Sequence, residues 1–147
     1  MLDILTVEKS KKELTQKSLE VSEEEISDLQ SLIDNMLSMV NDIGCIGITA
    51  PQVGVFKRIF VLYNGNVYIN PIVILSSKKI MSIGEGCLSI PGKFYKVRRA
   101  RTVILTYLDR TGQKNKEKFN KKFDSIAIQH EIDHLNGVLL CDKGIKI

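Results

Sequence analysis

The sequence predicts an α+β fold, with antiparallel or mixed β-sheets and a long N-terminal helix. Three features carry this expectation: a capped amphipathic helix near the start, a middle stretch of β texture, and a second amphipathic helix near the last residue. The order helix, strands, helix lacks the regular alternation of βαβ units. At 147 residues the chain fits a single domain, residues 1–147, with one sizeable core. Apolar residues make up 44% of it, aromatics 6%, and tryptophan is absent. The core is therefore expected to be built of Ile, Leu and Val.

The first helix begins at Ser22-Glu23-Glu24-Glu25, a capping-box pattern in which Ser22 caps and Glu25 reaches back. Ile26, Leu29, Ile33, Met36, Leu37 and Val40 then follow helical spacing, with Met36 and Met39 read as core and edge residues. The acidic start suits the helix dipole, and Gly44 is a natural stop. Residues 58–63 read as a strand. Asn64-Gly65 is a hairpin signal, residues 67–70 return, and residues 72–75 extend the β region past Pro71. Residues 102–108 form another strand, turned by residues 109–112 into a polar partner at 113–119. Asp124 or Ser125 is expected to cap the last helix, which runs to about Asn136 with Gly137 after it.

Net charge is +4, too mild to imply nucleic acid. The run Lys93, Lys96, Arg98, Arg99, Arg101 reads first as a solvated strand edge that discourages edge pairing. A patch for ribosomal RNA is the second reading. Cys45, Cys87 and Cys141 are odd in number, and no basic-flanked apolar leader precedes them. No apolar run approaches membrane-spanning length, so no membrane partner is expected. A reducing, cytoplasmic setting follows, with cysteine present as thiol or ligand.

Both histidines of the chain lie in His130-Glu131-Ile132-Asp133-His134. Positions i and i+4 share a helix face, so two imidazoles there can hold one metal with Glu131 beside it as a base. A catalytic site usually has three protein ligands and an open position. One protease pattern places its third histidine where this chain has Leu140. No glutamate follows His134, and Asp142 is the sole carboxylate there. The search for a third ligand thus moves upstream, to Glu85-Gly86-Cys87-Leu88-Ser89, which precedes an expected turn at Pro91-Gly92. A thiolate with two imidazoles is a sound donor set. In the loop from Ile46 to Gln52, a glutamine amide can donate to a developing oxyanion.

Taken together, these three segments resemble peptide deformylase in a short form without the C-terminal helical extension. That family carries a G-x-G-x-x-x-x-Q loop, an E-G-C-L-S segment and a Q-H-E-x-D-H helix, in that order. Here they match Gly47 to Gln52, Glu85 to Ser89 and Gln129 to His134. Two departures are Cys45 in place of the loop's first glycine and Thr49 where alanine is usual.

The resemblance implies sheets packed around a central metal-binding helix carrying H-E-x-x-H. It implies a divalent metal on Cys87, His130 and His134: ferrous iron, with zinc, nickel or cobalt as substitutes. Glu131 acts as general base and then acid. The Gln52 side chain and the Leu88 backbone N–H meet the oxyanion. The substrate is an N-formyl-methionyl peptide, and the products are formate and a free amino terminus. Ile46 and Gly47 lie along the peptide. Ile83, Phe123, Ile126, Ala127 and the His130 ring form the methionine pocket, and Glu85 orients supporting groups such as Arg99. The setting is cytoplasmic, or a host's cytoplasm for a viral source. Alternatives are a zincin-type metalloprotease, a deformylase-like protein with altered acyl specificity, and an RNA-binding module on the same fold.

Overall fold

The computed structural model describes residues 2–82 and 84–147. Helix α1 (Val7–Leu14) opens the chain, and a 3-10 helix (Glu23–Leu29) runs into α2 (Gln30–Ile43). Strands β1 (Gly47–Thr49), β2 (Ile59–Leu62) and β3 (Val67–Ser76) follow, with a 3-10 turn at Pro51–Val53. Next come β4 (Lys79–Met81), β5 (Glu85–Cys87), β6 (Ile90–Lys96), β7 (Arg98–Ala100), β8 (Val103–Leu108) and β9 (Lys114–Phe119). The chain closes with α3 (Lys122–Leu135), α4 (Leu140–Lys143) and β10 (Ile145–Lys146). The strands form a five-stranded sheet in the order β1-β2-β3-β8-β9, a three-stranded sheet β10-β6-β5 and the pair β4-β7. Every pairing among them is antiparallel.

The five-stranded sheet is covered on both faces at β2 and the first residues of β3. Ile59, Val61 and Ile69 point toward Ile33, Met36 and Val40 of α2, while Phe60, Leu62 and Tyr68 point toward Ile128, Ile132 and Leu135 of α3. That is why residues 59–62 are apolar without alternation: a strand buried on both sides has no polar face. Burying each such side chain contributes about 1.5–3 kcal/mol. A third cluster, with Leu14, Ile90, Tyr95 and Leu140, seats the small sheet on α1 and α4.

The capping box at Ser22 forms as expected, with Ser22 N–H donating to Glu25 Oε2 at 2.7 Å. It opens the 3-10 segment, and the α-helix proper starts seven residues later at Gln30. Gly44 ends that helix at φ 74. The β region extends past Pro71 as expected, as one continuous strand with a bulge. Register with β8 jumps between Ile69 and Ile72, and Asn70 sits at φ 50. The Asn70 side chain bonds both Val21 N and Val21 O at 2.8 Å. A bulge tolerates a proline that cannot donate to the ladder.

Two expectations need correction. Helix α3 begins at Lys122, before Asp124 and Ser125. Ser125 lies inside it and donates instead to Ala100 O at 2.9 Å, tying the helix to β7. Pro91-Gly92 lies within β6, and the turn falls at Leu88-Ser89, because Cys87 pairs with Ile90. The unforeseen elements are α1, β1, the strands from β4 to β7, α4 and β10. They are short and carry little apolar periodicity, and their partners lie far along the chain.

Candidate active site

Three chain segments converge at one end of α3. Cys87 ends β5, and His130 and His134 lie one turn apart on α3. Their ligating atoms all lie within 4.8 Å of one another. His134 Nε2 is 3.2 Å from Cys87 Sγ. His130 Nδ1 is 3.0 Å from Glu85 Oε1, which leaves its Nε2 for the site, the usual arrangement of a metal-binding histidine and its carboxylate. Burial, the largest influence on the Cys87 thiol, pushes it up. The His134 charge and hydrogen bonds from both imidazoles together outweigh burial and hold the thiol down at about 5. Burial also pushes the His130 imidazole down, yet Cys87 and Glu85 carry it up to about 10. A thiolate and a carboxylate thus demand positive charge at this spot. Two imidazole nitrogens and a thiolate suit a divalent transition metal in that place.

Glu131 lies between the histidines and is 5% exposed. Its Oε2 has no hydrogen-bond partner among the described residues. Burial pushes this carboxyl up, the direction that suits a general base. Gly47 makes room for it: a Cβ there would stand 2.9 Å from Glu131 Oε1 and 2.8 Å from Val61 O.

Gln52 projects from the Pro51–Val53 turn and is buried. Its Oε1 accepts from Thr49 N at 3.0 Å and from the Thr49 hydroxyl at 3.2 Å. The amide Nε2 is thereby aimed at Ser89 Oγ (3.3 Å) and Cys87 Sγ (3.7 Å). Leu88, in the β5–β6 turn, completes this wall. The N-terminal segment staples the two loops together, with Leu5 N–H donating to Gln52 O (2.7 Å) and Val7 N–H to Ser89 O (2.9 Å).

Behind His130 runs a chain of charges. Arg99, 1% exposed, grips both Glu85 oxygens at 2.8 and 3.1 Å and also pairs with Asp133. Lys143 Nζ lies 3.1 Å from both Asp133 oxygens. Burial pushes the Glu85 carboxyl up, but His130 and Arg99 outweigh it and hold it at about 2. Arg99 therefore leaves the basic run read from the sequence. Lys93, Lys96, Arg98 and Arg101 remain exposed.

A cleft of about 900 Å³ opens over this floor. Ile46, Gly47, Glu85, Phe123, Ile126 and Ala127 all line it. Ile83 lies outside the described residues. Ile46 and Phe123 are exposed at the rim, and Ala127 is buried. Cys45 also lines the cleft, half-buried. Thr49, Ser89 and Asp133 stood inside the sequence motifs with no role assigned to them, and Lys143 carried no local signal.

The family described as polypeptide deformylase matches residues 1–147. The chain belongs to the polypeptide deformylase family. A peptide deformylase of Fusobacterium nucleatum is 39% identical over 135 residues, covering 88% of this chain and 77% of that protein. One of Thermodesulfovibrio yellowstonii is 40% identical, covering 95% and 88%. Among solved structures, the Thermotoga maritima peptide deformylase superposes with a TM-score of 0.89 at 29% identity, covering 99% of this chain and 98% of that one. An Acinetobacter baumannii deformylase bound to Met-Ala-Ser gives 0.88 at 28% identity, with 97% and 98% covered. This deformylase is accordingly a metal-dependent hydrolase that removes the formyl group from newly made peptides. The metalloprotease alternative is not favoured by these matches.

Proposed function

We propose that residues 1–147 act as one catalytic unit on N-formyl-methionyl peptides, with Cys87, His130 and His134 holding ferrous iron. Zinc, nickel or cobalt would fit the same donors. The observation that carries this reading is the convergence of that donor set with a buried carboxylate whose second oxygen has no hydrogen-bond partner among the described residues.

When bound, the divalent ion supplies a Lewis acid that lowers the pKa of a water and polarises the formyl oxygen. Glu131 accepts the proton of the attacking water as its oxygen bonds to the formyl carbon. The carbonyl π electrons move onto oxygen, and the Gln52 Nε2–H and the Leu88 backbone N–H donate to that oxyanion. When the oxyanion collapses, the C–N bond breaks, Glu131 returns its proton to the departing amine, and formate leaves. Losing one such donor commonly costs about 3 kcal/mol of barrier.

The peptide is proposed to lie along the free edge of β1, against Ile46 and Gly47, as an added strand. Phe123, Ile126 and Ala127 form an apolar slot suited to an unbranched thioether, and Ile83 is proposed to join them. Glu85 serves by positioning His130. Three thiols without a disulfide suit a reducing cytoplasm. No helix among the described residues is long and apolar enough to cross a membrane. The exposed basic residues of β6 and β7 remain a candidate ribosome-facing surface.

Formate release from formyl-Met-Ala-Ser by anaerobically iron-loaded protein tests the reading, beside Glu131→Ala prepared identically. Turnover is expected in the first and loss of at least about 100-fold in the second. Metal content should match in both. Equal turnover in both would remove Glu131 from its role.

A further inference from the structure

The two walls of the cleft carry the same dipeptide. Lys93-Phe94 comes from β6 and Lys122-Phe123 from the first turn of α3, and all four residues line the cleft. The two rings are each 54% exposed. Phe94 packs over Gly86, where a Cβ would meet it at 3.0 Å. Phe123 meets Tyr63 edge-on at 6.1 Å. The aromatic faces are thus held in place beside the lysines.

The charges at this rim are unbalanced. Neither Lys93 nor Lys122 has an acidic partner within 4.0 Å among the described residues. Among the described residues, two carboxylates line the cleft, Glu85 and Glu131. Glu85 is neutralised by Arg99, and Glu131 is buried at the floor. Asp124 follows Lys122 closely in sequence but does not line the cleft. Lys96, Arg98 and Lys121 nearby are exposed and of the same sign. A peptide seated with its formyl group on the floor must leave between these walls.

We propose that the rim selects substrates by charge: Lys93 and Lys122 favour peptides with an acidic side chain in the first two positions after the formylated methionine. This rests on the deformylation reading. Uncompensated cations in a cleft raise the encounter rate of anionic ligands and lower that of cationic ones. Two partly solvated pairs give about fivefold discrimination at low salt.

The test uses iron-loaded protein and C-terminally amidated formyl-Met-X-Ser and formyl-Met-Ala-X, with X as Glu, Gln or Lys. In at least one series kcat/KM should fall in the order Glu, Gln, Lys. The Glu-to-Lys ratio should collapse toward one in Lys93→Gln/Lys122→Gln. It should also collapse in 1 M salt, where the screening length is about 3 Å. Lys122→Glu should move the order toward Lys. Equal kcat/KM for Glu and Lys peptides, with the Gln peptide turned over, overturns the charge selection and leaves deformylation standing. A ratio unmoved in the double variant overturns the assignment to these lysines. No formate from any peptide overturns both readings.

Discussion

Gln52 shows how much one amide depends on its neighbours. A glutamine side chain can be turned either way at little cost, but here two donors from Thr49 hold its oxygen and so direct its N–H₂ toward Cys87 and Ser89. Thr49→Ala removes one of those donors and leaves the backbone N–H. A fall in kcat of about tenfold is expected, with KM little changed and near-full recovery in Thr49→Ser. Gln52→Leu, which deletes the donor itself, should lower kcat by about 100- to 1,000-fold. If Thr49→Ala and wild type share one kcat, the hydroxyl does not position the amide. Gly47 acts by lacking a side chain. Its Cβ would press on Leu62 Cδ2 and Val61 O at 2.8 Å and on Glu131 Oε1 at 2.9 Å. Gly47→Ala should cost about 1–3 kcal/mol in urea unfolding, with loss of activity beyond what that destabilisation explains.

Among the elements, α3 carries the most. One side of it packs on the five-stranded sheet through Ile128, Ile132 and Leu135, and the other presents His130 and Glu131 to the cleft. Its interior support is the Glu85–Arg99–Asp133–Lys143 chain linking β5, β7, α3 and α4. Arg99→Met leaves the buried Glu85 without its guanidinium and the half-buried Asp133 with Lys143 alone, a loss of about 3–5 kcal/mol. Supporting partners of a metal ligand typically govern about 10- to 100-fold in metal affinity. Cobalt dissociation from Arg99→Met should therefore be faster by that range. Lys143→Met, breaking only the partly exposed end of the chain, should cost less than about 1 kcal/mol. The histidine pair, the capping box, the Gly44 stop and the hairpins at residues 64–65 and 109–112 were legible in the sequence. Each is written in a few adjacent residues with a local physical signature. Arg99 was read both as part of the basic run and, through the resemblance, as a partner of Glu85, and only the second reading matches its burial; a buried arginine and a solvated one look alike inside a basic run. The same holds for β6, whose exposed Lys93, Phe94 and Lys96 hide the buried Tyr95 and the pairing with β5 and β10. Those contacts span up to about fifty residues of chain and leave no periodic trace.

At the scale of the whole molecule, the second core cluster predicts behaviour in alkali. Burial, above all, pushes the Tyr68 phenol up to about 12. Burial and the hydrogen bond to Glu117 raise Tyr107 in the same direction. In the unfolded chain a phenol ionises near 10, so this part of the stability is whole below pH 10 and is lost as pH climbs through 12. For Tyr68 it amounts to about 2–3 kcal/mol. Urea midpoints should drop across that window, and Tyr68→Phe should flatten the drop. An equal drop in the variant would assign the alkaline limit elsewhere. The molecule also has a timetable. Its N-terminal residues Leu5 and Val7 are stapled to loops around Gln52 and Ser89, and the histidines of the same site arrive only at positions 130 and 134. At about 5–20 residues per second, several seconds of synthesis separate the first part from the last. Throughout that interval the loops around Gln52 and Ser89 stand without the histidine pair, so the site comes into being only when α3 has emerged.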